Sequence, residues 1–190
     1  MLQLPGQHNV RNALAVIGLM HRMGLDAQLA ADALALFTGA GRRFDLRGEA
    51  SGVTIIDDYA HHPTEIRATL AAARLRYPNR RIWALWQPHT FSRTLTLLEA
   101  FKQAFTDADQ VIITEVYGAR ESSTRFSAAD LVAQMPHPNA HFAATLPEAA
   151  ARLVAGLRPG DVLLVLSAGD ADQVSQQVFE ILSKREINHA

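Results

Sequence analysis

The chain has 190 residues, a formal net charge of −1, no cysteine, and 48% hydrophobic against 19% charged residues. That length supports one good core with room for an appendage, the near-neutral charge leaves no footprint for nucleic acid, and lack of cysteine removes disulfides and thiolate metal sites. No apolar stretch reaches the roughly 20 residues of a membrane helix and no signal-peptide pattern opens the chain, so the class left is a cytoplasmic α/β protein.

Residues 9 to 37 are predicted to form two helices. Val10, Leu14, Ile17 and His21 share one face of the first, Gly24 stops it, and Asp26 caps a second helix whose face carries Ala30, Leu34 and Phe37. His8, Asn9 and Asn12 open the first helix. An asparagine amide donates and accepts at once and so suits adenine, but Asn9 equally suits a helix cap. Such a pair is too small to fold alone and must pack on something. Thr38-Gly39-Ala40-Gly41 then breaks the pattern as a hinge, followed by the charged pair Arg42-Arg43.

Leu46 to Ala50, the turn Ser51-Gly52 and Val53 to Ile56 read as a hairpin at a sheet edge. The second strand ends in Asp57-Asp58-Tyr59-Ala60-His61-His62-Pro63-Thr64-Glu65. Pro63 is pre-set for helix entry, with a helix to residue 76 that aligns Ile66, Leu70, Ala73 and Tyr77. In open α/β sheets, ligands bind at the carboxyl ends of strands. Asp57 or Asp58 there can accept from ribose hydroxyls, and Tyr59 and His61 can orient a carboxylate or an amine. The bland reading makes Asp57 a turn cap, His62 a packed side chain and His61 a solvated one. A metal held by His61, His62 and His89 is disfavoured, because adjacent histidines diverge on an extended chain and no His-x-x-x-His spacing is present.

Ile82 to Trp86, Val111 to Ile113 and Val162 to Leu166 are apolar on both faces, as central parallel strands are. Helical patterns lie between and after them: Leu95, Leu98, Phe101 and Phe105; Ala128 to Met135; Pro147 to Leu157; Val174 to Leu182. The fold class that follows is α/β, a Rossmann-like doubly wound, mostly parallel sheet with an N-terminal helical pair. His89 and Arg93 follow one strand end, where the arginine fork suits carboxylate or phosphate; Ser92 and Thr94 can instead cap the next helix. Tyr117-Gly118-Ala119-Arg120-Glu121 follows another strand, and Ser167-Ala168-Gly169-Asp170 is a tight turn needing glycine.

The run Asp57 to Glu65 resembles the signature of the Mur ligases of peptidoglycan synthesis. Gly6 to Leu14, Gly41-Arg42-Arg43-Phe44-Asp45 and Gln87-Pro88-His89-Thr90-Phe91-Ser92-Arg93-Thr94 agree in the same order, and Ser167 to Asp170 agrees more weakly. Together they cover nearly the whole chain, and within the family they are most similar to the members that join L-alanine to UDP-N-acetylmuramate. The resemblance implies ATP and Mg2+, an acyl phosphate formed on a substrate carboxylate, and an amine that attacks it. It puts Asn9 and Asn12 on the adenine side, Arg42 or Arg43 near the terminal phosphates, and Arg93 on the amino-acid or product carboxylate. It adds Tyr59, His61 and His89 to the reacting site and Asp57 and Asp58 to the nucleotide side. Thr90 departs from it, since many relatives carry arginine there. No Gly-x-x-x-x-Gly-Lys-Ser/Thr loop occurs. Residues 1–42 therefore look like the helical tail of the family's central ATPase domain, and 43–190 like its C-terminal domain. The expectation is a fragment, inactive alone, with Mg2+ bound mainly by the central domain. The alternatives are a fragment of the related ligase that adds a recycled tripeptide, or a stand-alone nucleotide-binding module, which the initiating Met1 allows.

Overall fold

A computed structural model describes residues 2–39, 41–122 and 125–189. The chain opens with α1 (Gln7–Arg22) and α2 (Ala27–Leu36), followed by the hairpin β1 (Asp45–Ala50) and β2 (Val53–Asp58). Next come α3 (Pro63–Arg76), β3 (Ile82–Gln87), α4 (Phe91–Thr96), α5 (Leu98–Lys102) and β4 (Gln110–Thr114). The chain continues through α6 (Ala128–Val132), β5 (Ala140–Ala143), α7 (Leu146–Gly156), β6 (Val162–Ser167) and α8 (Asp172–His189).

Among the described residues six strands form one sheet in the order β1-β2-β6-β3-β4-β5. Only β1 runs antiparallel, against β2; the other pairings are parallel. The expected doubly wound architecture is present. β2, β3 and β6 are buried along their whole length, as strands covered on both faces must be. Alternation divides their side chains between two cores. Ile56, Trp86, Ile113 and Leu164 face α3, α5 and α6. Ile55, Leu85, Ile112 and Leu163 face α7 and α8. Because β6 slots between β2 and β3, the loops that follow these three strands become neighbours. That shared rim carries the polar residues of interest.

Local chemistry accounts for the helix ends. Asp26 caps α2 through Gln28 N–H at 2.8 Å, and Gly24 takes φ +76° after α1, as the sequence predicts. α3 starts with Pro63, with His62 Nδ1 accepting from Thr64 N–H at 3.3 Å and Glu65 Oε2 accepting from His62 N–H at 3.1 Å. α1 buries only Ala13. Its Val10, Leu14 and Ile17 face borders a groove of about 240 Å³ against Ala31, Leu34 and Ala35 of α2, and Leu14, Leu19, Leu29 and Leu36 stay exposed. Of the expected hinge, Ala40 lies outside the described residues.

Three features differ from expectation. The helix anticipated from Leu95 to Phe105 is two short ones, broken at Leu97. The Thr94 hydroxyl bonds to the Thr90 carbonyl at 2.7 Å, a back-bond that bends helices. Beyond the break Phe101 stacks on Trp86 at 4.5 Å. The α6 helix ends at Val132 rather than Met135, ahead of Pro136. The edge strand β5 has no long apolar run and was not anticipated; it pairs with β4 along four residues.

Candidate active site

Strand alternation sends the two adjacent acids to opposite faces of β2. Asp57 is fully buried and receives Arg47 Nη2 at 2.6 Å; Arg42 Nε lies 3.4 Å from it as an ion pair without a hydrogen bond, and Asp57 Oδ1 has no partner. Arg42 is further occupied by the Ser167 carbonyl at 2.7 Å and by Asp172 at 3.8 Å. Asp58 instead accepts from Phe44 N–H and Ala60 N–H, each at 2.8 Å. Burial pushes its carboxyl above the usual range, and these two bonds oppose the rise.

Asp58 borders a cleft of about 470 Å³ together with Asn9, Asn12, Arg43, Phe44 and Thr64. Asn9 is not the cap of α1, which begins after Gly6; its Nδ2 donates to the Pro5 carbonyl at 2.8 Å. Its Oδ1 and the whole amide of Asn12 lack a protein partner among the described residues. Arg43 rather than Arg42 reaches this cleft, and Arg43 forms no ion pair among the described residues. Both guanidiniums lie over the Tyr59 ring, Arg42 at 5.4 Å and Arg43 at 5.7 Å, as cation–π pairs do.

Beyond Tyr59 the rim continues through aromatic and cationic groups. The Tyr59 and His61 rings meet edge-on at 5.2 Å, and His61 lies 6.2 Å from His89. His89 stacks on Tyr117 at 5.7 Å, and its Nδ1 accepts from Arg93 Nη1 at 3.3 Å. Burial, then the positive Arg93, then His61 lower the His89 pKa. Tyr59, His61, His89 and Arg93 therefore share one rim. Asn9, Asn12 and Asp58 lie in the cleft on the other side of the Tyr59 loop. Asp57 and Arg42 form a buried ion pair beneath it.

Sequence reasoning missed the residues that hold this rim. Gln87 Oε1 accepts from Ser167 Oγ and Ala171 N–H at 3.1 Å each, and its Nε2 donates to Asp170 at 2.7 Å. The amide thereby ties the end of β3 to the turn after β6. Gly169 is glycine because of close approach rather than a positive φ. A Cβ there would collide with Gln87 Oε1 and lie 2.8 Å from Tyr117 Cγ. Glu121 closes the start of α4, accepting from Ser92 N–H at 2.9 Å and from the Ser92 hydroxyl. Ser92 is thus the capped group, not the cap. Thr90 takes φ +67°, rare for a β-branched residue. Thr90 N–H bonds to the Tyr117 carbonyl at 2.9 Å and Tyr117 N–H to the Pro88 carbonyl at 2.8 Å, and these bonds lock its backbone. Gln87, as a polar end to an apolar run, and Gly169, in a turn that needs glycine, left signals in the sequence, whereas the bonds of Glu121 to Ser92 left none.

A family description, "Mur ligase, glutamate ligase domain", matches residues 42–169. The chain belongs to the Mur ligase family. A UDP-N-acetylmuramate–L-alanine ligase of Roseiflexus sp. (strain RS-1) is 51% identical over 185 residues, covering 97% of this chain and 40% of that protein. The solved UDP-N-acetylmuramate-alanine ligase of Thermotoga maritima superposes with a TM-score of 0.79 at 34% identity, over 97% of this chain and 40% of the other. A murein peptide ligase from Psychrobacter arcticus gives 0.71 at 27% identity, over 94% and 37%. The chain thus spans about 40% of the length of the Mur ligases it matches. Among the described residues no Mur ligase helix here is long and apolar enough to cross a membrane.

Proposed function

We propose that this chain is the C-terminal part of a cytoplasmic, ATP-dependent ligase that joins L-alanine to UDP-N-acetylmuramate. Residues 1–42 are the helical tail of the nucleotide-binding domain, and 43–190 are the domain that closes over it. The observation that carries the reading is a cleft with the free Asn12 amide and, across the Tyr59 loop from it, Arg93 beside two imidazoles.

The side chains fit the roles that ligation requires. The unpartnered amide of Asn12 and Oδ1 of Asn9 match the donor–acceptor edge of adenine. Arg43, lacking a carboxylate partner, suits the phosphates. Asp58 spends its oxygens on two backbone N–H groups, so it shapes the floor and offers ribose a remaining lone pair. Arg93 presents a planar fork to a carboxylate. Asp57 and Arg42 neutralise each other and fix the loop, for the Arg42 carbonyl receives Tyr59 N–H at 2.7 Å. ATP supplies the energy that activates a carboxylate as an acyl phosphate; holding the amine in line and excluding water are the tasks left to this domain. Among the described residues no three histidines, aspartates or glutamates gather where they could ligate one ion, and we assign Mg2+ no ligand on this chain.

The test is an assay of the full-length enzyme with ATP, UDP-N-acetylmuramate and either L-alanine or the tripeptide. ATP-dependent consumption of L-alanine is the expected result. Use of the tripeptide alone makes it the recycling ligase, and use of neither removes the ligase reading.

A further inference from the structure

His61 and His89 are held in opposite tautomers. The Tyr59 carbonyl lies 2.9 Å from His61 Nδ1. A carbonyl only accepts, so Nδ1 carries the hydrogen and Nε2 of the neutral ring keeps its lone pair. In His89 it is Nδ1 that faces Arg93 Nη1 at 3.3 Å. A guanidinium only donates, so this Nδ1 accepts and the hydrogen sits on Nε2. Neither Nε2 has a protein hydrogen-bond partner among the described residues. With ring centroids 6.2 Å apart, a bare base and a bare N–H donor share the rim.

The surroundings reinforce the division. Glu65 Oε2 lies 3.6 Å from His61 Nδ1 and is fixed by the N–H groups of His61 and His62 at 3.1 Å each. Burial works to raise the Glu65 pKa, but those backbone bonds and His61 outweigh it, so the carboxylate stays charged. A positive ring at His61 would therefore have the Tyr59 carbonyl and a fixed anion beside its Nδ1–H. His89 faces Arg93 instead, which opposes a second positive charge. Tyr59 flanks His61 and carries Arg43 over its own ring, and Tyr117, Arg93 and Glu121 flank His89.

We propose that Nε2 of His61 takes the proton from the ammonium of the incoming amino acid, while Nε2–H of His89 donates to an oxygen of the carboxylate or of the oxyanion that forms during attack. This rests on the ligase reading. One N–H bond of the ammonium breaks and one forms at His61 Nε2, moving the positive charge from the amino acid to an imidazolium beside Glu65. The freed pair on nitrogen then forms the C–N bond, and phosphate leaves with the C–O electrons and carries away the second proton that nitrogen sheds as it becomes an amide. The substrate ammonium needs such an acceptor because its protonated form has no lone pair for attack. His61 is a candidate base with an orienting partner, the arrangement that activates nucleophiles generally.

Long-range 15N–1H correlation spectra of the 190-residue chain, recorded above the histidine titration, read both tautomers directly. Hydrogen on Nδ1 of His61 and on Nε2 of His89 is expected; the same tautomer at both rings, or the reverse assignment, overturns the proposal whatever the enzyme does. In the full-length ligase, His61→Gln should lower kcat/KM for L-alanine about 10²–10⁴-fold near neutral pH. The loss should shrink as rising pH supplies free amine. A loss of equal size at every pH would mean that His61 only positions the amine, and overturns the proton step. Absence of any ATP-dependent ligation by the unmutated enzyme would instead remove the ligase reading, with the tautomers still measured on their own.

Discussion

Arg93 directs its guanidinium at Nδ1 of His89 across 3.3 Å, and among the described residues it has no carboxylate partner. A half-buried cation in this state is poised for an anion from outside the chain, and it also governs its neighbour. Burial and then Arg93 lower the His89 pKa. Replacing Arg93 by Gln leaves the burial and removes the charge, so His89 should titrate at a higher pH than in the unmodified chain. The histidine ring signals in a pH series measure this directly, and no upward movement would mean that Arg93 does not act on His89.

Gly169 holds the rim together through what it lacks. Its missing Cβ leaves room for Tyr117 Cγ and Gln87 Oε1. Gly169→Ala should push Tyr117 off His89 and cost about 1–3 kcal/mol, the usual penalty of overpacking. Urea unfolding reads the stability, and the ring-current shift on His89 reads the stacking. Both quantities unchanged would show that the turn yields freely.

A buried acid, Asp58, and a half-exposed one, Asp109, should give opposite pH slopes of stability. Asp109 is lowered: burial works against it, but the Ile82 N–H at 2.7 Å and Arg74 at 2.7 Å outweigh burial. Its contribution is present above the unfolded value and is lost as pH falls through the folded one. Asp58 is raised by burial. Its contribution is present below the unfolded value and is lost as pH rises through the folded one. Asp109→Asn should therefore flatten the acid limb of a stability–pH curve, whereas Asp58→Asn should remove a component that falls with rising pH. Denaturant midpoints from acid to neutral pH supply the curve, and slopes of the same sign for both positions would contradict the assignment.

These residues show how far the sequence could be read. Val53 to Ile56, Ile82 to Trp86, Val111 to Ile113 and Val162 to Leu166 were legible as central strands because apolar runs on both faces have few other homes. Pro63 and Glu65 marked the start of α3 because capping is local. β5 was not legible, since Ala140 to Ala143 gains its strand from β4 rather than from its own residues. The break at Leu97 depends on Phe101 reaching Trp86 and on a Thr94–Thr90 bond. At the site, a period of two already separates Asp57 from Asp58, but only the fold shows that Arg42 and Arg47 consume Asp57 while Asp58 reaches the cleft. The Gln87–Asp170 bond joins residues 83 apart and leaves no local trace.

Nucleotide affinity should divide along the cleft. Asn12, with a free amide, should matter more than Asn9, whose Nδ2 is already committed to Pro5. In the full-length enzyme, Asn12→Ala should raise the KM for ATP about tenfold, the effect of about one to two net hydrogen bonds, and Asn9→Ala less. The chain alone, presenting only part of the site, should bind ATP weakly. Calorimetry on the chain showing micromolar affinity would contradict this, as would equal effects of the two substitutions.

The most direct measurement is the turnover of L-alanine by the full-length enzyme with Arg93 intact and with Arg93→Ala. Loss of a charge-assisted carboxylate contact should lower kcat/KM for L-alanine about 10–100-fold, with the fold retained. Normal turnover by the Arg93→Ala enzyme would contradict the account, because the rim of free cations would then hold no substrate.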